Sequence, residues 1–404
     1  MFDLIVVGMR GASEPRTPLL ASTGYGSMRW SLTVLLLVAI LTVACTPGRP
    51  GNGGPDSTIQ VGPVHRVTQV PYAYEPDIAV DPRNPNHLAA MAISPSTGDC
   101  DPFAHPGSCT IRLILDTSLD GGTTWQERPL TPSDRATDLG FDPSLAFGSD
   151  STLYQLGWSS AGIFVHTGPV EQPLVSADLH VVTEQRGTDK PWLTIVPPDD
   201  VLYVAYLGPT GGDHTGLLLS RSTDHGVTWS APARVSRGPV IRAGGEQAIL
   251  PPFGTQALVA NSKDVAVTWV DPTLPGINTA ALGSKHNLLQ VATSTDGRQT
   301  FSQPRTIADA WSLGTAIAHA GTYGVVFRRG QEQDQQVVMA RSRDRGRTWQ
   351  TSVVSGGQRL YNDQSPAPGL GIAPNGTLDV VYYAPQRPCL DPVRLGNARL
   401  QRIR

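Results

Sequence analysis

The sequence is poor in charge. Only 16% of its 404 residues are Asp, Glu, Lys or Arg, and the net charge is −3. Proteins that grip nucleic acid need a basic stripe, and none is present, so that class is excluded. Cysteine is scarce, with Cys45, Cys100, Cys109 and Cys389 the full set. The apolar run from Leu32 to Ala44 has 13 residues, short of the ~20 that a membrane-spanning helix requires. A Gly-rich phosphate loop, zinc-ligand spacing, a Gly-x-Ser-x-Gly elbow and helical heptads are all missing, so no cofactor or metal is expected. What abounds is Gly (42) and Pro (35), set between recurrent apolar runs. That composition points to an all-β chain of short strands and many turns.

The N-terminus reads as a targeting segment. Met28-Arg29-Trp30 precedes the apolar run, whose length suits a signal sequence. It ends in Leu41-Thr42-Val43-Ala44-Cys45, which resembles a bacterial lipobox. That resemblance implies lipidation of Cys45 and a cell-surface, membrane-anchored protein. A plain secretory signal or an uncleaved anchor is the alternative. Residues 1–44 then form an extension and signal, 45–58 a Gly/Pro/Ser-rich tether, and 59–404 the folded domain. An exported setting permits disulfides. Cys100 and Cys109 close a short loop and form the natural pair, which leaves Cys389 over; a bridge from Cys389 to either is the rival.

One eight-residue text recurs. Ser118–Trp125, Ser222–Trp229 and Ser342–Trp349 each read S-x-D-x-G-x-T-W, and Ser294–Phe301 is a weaker copy with its glycine one place early. Ser, Asp and Thr oxygens engage nearby backbone groups, and Gly supplies a positive φ, so each copy makes a tight turn. The tryptophans are expected to be largely buried beneath these turns, so that Trp349→Ala would cost about 3–5 kcal/mol. A second repeat lies between the boxes. Six hairpins of equal length begin at Pro76, Pro143, Pro191, Gly254, Ser312 and Pro368, with spacings of 67, 48, 63, 58 and 56 residues. A further apolar run before each box supplies a third strand, and the box turns into a fourth. The last repeat is short, with Ala398–Arg404 as its third strand.

The boxes resemble the Asp box, or BNR repeat, of the sialidase superfamily. The resemblance implies a six-bladed β-propeller of four-stranded antiparallel blades. The N-terminal strand Val61–Val67 would complete the sixth blade; five blades plus a stray hairpin, or a truncated chain, are the alternatives. In a propeller the boxes sit on one face, and the first strand of each blade opens at the mouth on the other. This puts Glu75, Asp77, Asp142, Asp189, Lys190, Arg242, Glu246, Tyr361 and Asp363 at the mouth, with Asp101, Arg328, Arg329 and Arg387 in loops above it. Such residues either form a site or brace adjacent blades.

The resemblance also implies chemistry. Sialidases pair a Tyr nucleophile with a Glu, and Tyr361 and Glu246 occupy suitable places. Asp77 or Asp101 would serve as acid, and Arg242, Arg328 and Arg329 would hold a substrate carboxylate, with Asp142, Asp189 and Lys190 as further contacts. The family's opening arginine is missing, because Tyr74-Glu75-Pro76-Asp77-Ile78 stands in its place. Two functions stay open: an exo-acting glycoside hydrolase of sialidase type, or a non-catalytic propeller that binds a glycan or protein on its top face. In either case the chain is expected to be monomeric.

Overall fold

The computed structural model describes residues 65–70, 73–95, 111–129, 141–159, 161–171, 179–211, 214–238, 241–243, 246–248, 253–259, 263–272, 287–319, 321–330, 336–354, 368–372, 378–384 and 397–403. Cys45, Cys100, Cys109, Cys389, Asp101, Tyr361, Asp363, Arg387 and the signal and tether segments lie outside these residues.

Among the described residues every regular element is a strand. The first sheet holds β1 (Tyr74–Val80), β2 (Leu88–Pro95), β3 (Ile111–Ser118) and β4 (Gln126–Pro129). The second holds β5 (Phe141–Phe147), β6 (Thr152–Ser159), β7 (Gly162–Pro169) and β8 (Leu179–Thr183). The third holds β9 (Asp189–Val196), β10 (Val201–Gly211), β11 (His214–Ser222) and β12 (Ala233–Ser236). A small hairpin follows, β13 (Ile241–Ala243) with β14 (Glu246–Ala248). The fourth sheet holds β15 (Phe253–Val259), β16 (Val265–Pro272), β17 (Asn287–Ser294) and β18 (Arg305–Ala310). The fifth holds β19 (Ser312–His319), β20 (Thr322–Arg329), β21 (Gln336–Ser342) and β22 (Gln350–Val353). The last, described with three strands, holds β23 (Gly369–Ile372), β24 (Leu378–Ala384) and β25 (Asn397–Ile403).

Each sheet is an antiparallel meander, as expected when short turns join consecutive apolar runs. The opening strands stand side by side in chain order: β1 against β5, β5 against β9, β9 against β15, β15 against β19, and β19 against β23. Apolar cores fill the spaces between successive sheets. Between the third and fourth, Tyr203, Leu217 and Leu219 meet Val265, Val267 and Trp269. Between the second and third, Tyr154 and Leu156 meet Leu202, Val204 and Tyr206.

The box turns are closed by their own side chains. In the third sheet Ser222 Oγ donates to Asp224 Oδ1 (2.8 Å) and accepts from Gly226 N (2.9 Å). Thr228 donates its backbone N–H and its hydroxyl to the same carboxylate, and Trp229 Nε1 donates to Gly226 O (2.9 Å). The copies at 118, 294 and 342 share the Ser–Asp–Thr frame. The weaker copy is explained by φ. Both residues after the Asp are left-handed in every box: Gly121 and Gly122, His225 and Gly226, Gly297 and Arg298, Arg345 and Gly346. The fourth copy only exchanges which of the two is glycine.

One expectation is corrected. Trp125, Trp229 and Trp349 are half-buried, because each indole lies over its turn with its N–H on a carbonyl. The full core penalty therefore does not apply to Trp349→Ala.

The box carboxylates also set an acid limit. Hydrogen bonds from the box residues, above all from the Thr at the seventh place, hold Asp120, Asp224, Asp296 and Asp344 down at about 2. A pKa below the unfolded value gives stability that is present above about pH 4 and lost as the pH falls toward 2. Asp344→Asn is expected to flatten this acid limb in urea titrations. A limb as steep as the parent's would contradict it.

Candidate functional site

The mouth is built by a repeated β-bulge. Near their starts five of the six opening strands carry one extra residue relative to their partners, among them Tyr74 to Asp77 in β1, Phe141 to Ser144 in β5, and Asp189 to Trp192 in β9, while the described part of β23 keeps regular register. The same shift recurs in β15 and β19. A bulge re-aims a side chain and is favoured beside functional sites. In the first three sheets the bulged residue is charged and precedes a proline: Glu75-Pro76, Asp142-Pro143, Lys190-Pro191. All three adopt a left-handed backbone, with φ of 48°, 50° and 49°. Each such non-glycine residue costs on the order of 1–3 kcal/mol, which surrounding contacts must offset.

Those contacts are mutual. Lys190 Nζ lies 3.2 and 3.3 Å from the Glu75 oxygens and is paired with Asp142 Oδ1. The Lys190 backbone N–H donates to Asp142 Oδ2 (3.2 Å) and to Asp189 Oδ1 (2.9 Å). Residues 115 and 48 positions apart in sequence thus share one ammonium.

The electrostatics separate these carboxyls. Desolvation in the crowded mouth pushes Glu75 up to about 7, helped by Asp142 and opposed by Lys190, although its side chain is 43% exposed. Asp142, only 7% exposed, would also be raised by burial; the Lys190 charge and hydrogen bonds from Glu75, Lys190 and Asp189 outweigh this and lower it. Burial and then the Asp142 charge raise Asp189 to about 6. Burial alone would lower Lys190, but Asp142 and Glu75 hold its proton more firmly than usual. At neutral pH the cluster therefore holds an ionised Asp142, a charged Lys190 and a Glu75 near half-protonation.

An aromatic pair adjoins the charges. Phe141, 40% exposed, immediately precedes Asp142 and meets Trp158 edge-on with ring centroids 5.1 Å apart. Trp158 Nε1 donates to Thr188 Oγ1 (2.9 Å), which ties the indole to the residue before Asp189 and Lys190. The sequence reading missed this pair. Its one available signal was the aromatic–Asp–Pro order at the start of the second repeat.

The structure thus gathers Asp142, Asp189 and Lys190 with Glu75. Asp77 sits two residues past Glu75 and turns to the neighbouring sheet. Its Oδ2 accepts from Leu145 N (2.6 Å) and its Oδ1 from Ile78 N (2.9 Å), while burial raises it to about 6. Ser144 makes the equivalent bond to Leu193 N (3.1 Å), so this position braces adjacent sheets. Arg328 is buried at the end of β20, and Arg329 Nη2 donates to Gln336 Oε1 (3.2 Å). Arg242 and Glu246 lie on opposite strands of the β13–β14 hairpin one register step apart, since Arg242 pairs with Gln247 and Ala243 with Glu246. Their side chains lie outside the described set, as does Tyr361.

A family model for the BNR repeat-like domain matches residues 170–377, just over half of the chain. The chain belongs to the BNR repeat-like family. The matched region of this BNR-repeat chain contains three of its four boxes and supports the sialidase-like superfamily named from them. Among solved structures the chain is similar to a protein of unknown function from Dyadobacter fermentans, at 14% identity and a TM-score of 0.50, covering 81% of this chain and 93% of that one. It is also similar to the NanB sialidase of Streptococcus pneumoniae, at 11% identity and a TM-score of 0.49, covering 83% and 68%. A Trypanosoma rangeli sialidase matches at 13% identity and a TM-score of 0.49, covering 80% of this chain and 54% of that one. At these identities the likeness concerns the fold. No curated protein matches the chain in sequence.

Proposed function

We propose that this BNR-repeat chain is an exported six-bladed propeller that binds a neutral glycan at its mouth. The observation that carries this reading is that Glu75 and Asp142 share the Lys190 ammonium. In two-carboxylate glycosidases, a class that excludes the Tyr-nucleophile sialidases, the working carboxyls stand ~5–9.5 Å apart with the glycosidic bond between them. Here Glu75 and Asp142 are both tied to Lys190, so this pair is not placed as an acid and base facing across a bond. Three carboxyls around one ammonium also disfavour a carboxylate ligand such as a sialic acid, and Glu75 takes the place of the arginine that would hold one. The exposed Phe141 ring beside these acceptors suits the apolar face of an uncharged sugar, whose hydroxyls would donate to the exposed Glu75 carboxyl and to Asp189.

Closure of the propeller belongs to the same proposal, with residues 59–404 as its single domain. The chain-order packing of the opening strands supports it. So does the position of the N-terminal segment, where Val67 is buried and the Thr68 side chain hydrogen-bonds Asp116 on β3. Strand 61–67 would then complete the last blade, and Cys45, once lipidated, would tether the domain through residues 45–58.

A second reading is kept by one observation. A carboxyl near 7, as at Glu75, is suited to proton donation, so a hydrolase remains the alternative. Titration calorimetry against neutral oligosaccharides and sialyllactose tests both. Binding of a neutral glycan, weakened about tenfold by Phe141→Ala, with no turnover of aryl glycosides, is the expected result. Turnover of an aryl sialoside that disappears in Tyr361→Phe would replace it with the sialidase reading.

A further inference from the structure

A second cluster lies on the face opposite the mouth. Asp150 comes from the β5–β6 turn, Asp200 from the β9–β10 turn, and His225 from the box that follows β11. One ligand atom of each lies within 4.8 Å of the others. Two carboxylate oxygens and an imidazole nitrogen are a donor set for a borderline divalent ion.

Several features hold these donors in place. Asp200 is 1% exposed, and its two oxygens accept the Ser149 backbone N–H at 2.9 and 2.8 Å. Ser149 Oγ donates to Asp200 Oδ2 at 3.0 Å. Asp150 Oδ1 accepts from Thr152 N at 2.9 Å. The Tyr154 hydroxyl stands 3.3 Å from Nδ1 of His225 and fixes the ring, as an outer partner of a metal-bound imidazole does.

The space between the donors is preserved by a glycine. A Cβ at Gly148 would lie 2.8 Å from Asp200 Oδ2 and 2.9 Å from Asp150 Oδ1. Glycine there leaves room for both carboxylates, since a Cβ would press on their oxygens. Nor do the three groups neutralise one another directly: among the described interactions neither carboxylate closes an ion pair with His225. They stand close enough to share a cation.

We propose that Asp150, Asp200 and His225 bind a divalent transition-metal ion, with Zn²⁺ as the probe, linking the second and third sheets on the box face. This is independent of what the mouth binds. The test uses the full chain freed of metal with a chelator and titrated with Zn²⁺ by calorimetry, alongside melting with and without the ion. One equivalent is expected to bind in the micromolar range or tighter, and the melting temperature to rise by several degrees at saturation. His225→Gln should abolish both effects. Asp150→Asn should weaken binding at least tenfold, and because Asp150 is exposed it serves should the His225 variant fail to fold. Absence of saturable binding below ~100 μM, an affinity worth about 5.5 kcal/mol, would overturn the proposal. So would an unchanged stoichiometry and affinity in the variants.

Discussion

Raising the pH from about 5 to about 8 is expected to lower the urea midpoint of this protein substantially. Among the described residues five carboxyls sit above their ordinary range. Glu75 and Asp116 lie at about 7, and Asp77, Asp189 and Asp271 at about 6, with burial the largest cause in each case. Asp116 is raised further by Glu127, whereas at Asp271 the Trp269 side chain acts against the rise. A folded-state pKa above the unfolded value means that the folded protein binds the proton more tightly. Its stabilising contribution is full below about pH 4 and is lost as the pH rises through 6 and 7. The box carboxylates act in the opposite sense and fail only below about pH 4. Stability should therefore peak near pH 4–5. Glu75 contributes less than its shift implies, since solvent screens a side chain that is 43% exposed. Urea titrations at pH 3, 5 and 8 measure the profile, and Asp116→Asn should flatten its alkaline side. A midpoint that is level or rises between pH 5 and 8 would refute this account.

Trp269→Ala should be among the most destabilising single substitutions, at about 3–5 kcal/mol. Trp269 is 0% exposed and fills the space between the third and fourth sheets, against Tyr203, Leu217, Leu219, Val265 and Val267. Truncation opens a cavity that neither sheet can close alone, because each is pinned by its own ladder. Trp349→Ala should cost less, since that indole is half-buried over a turn. The two variants compared by urea unfolding decide the matter. A larger loss at Trp349 would mean that the boxes, rather than the packing between sheets, carry the fold.

The box turns and the hairpins were legible in the sequence because their causes are local. Within eight residues Ser222, Asp224, Gly226 and Thr228 supply all the donors and acceptors that close a turn. The third strands likewise show as apolar runs directly before the boxes. Tryptophan burial was misjudged because an indole over a turn and an indole between sheets have the same neighbours in sequence. The opening residues of the repeats were picked out as a group, yet what they do was not visible.

The sequence alone determined the all-β meander, the repeat length and the box turns, all set by contacts within about fifty residues. The tertiary structure decided which charges meet. Glu75, Asp142 and Lys190 converge because a bulge in three successive opening strands turns the same position inward, and because β1, β5 and β9 stand side by side. Asp150, Asp200 and His225 converge because three turns from neighbouring sheets fall on one face. Neither convergence has a sequence spacing, since the distances involved are set by packing between sheets rather than by the chain that joins them.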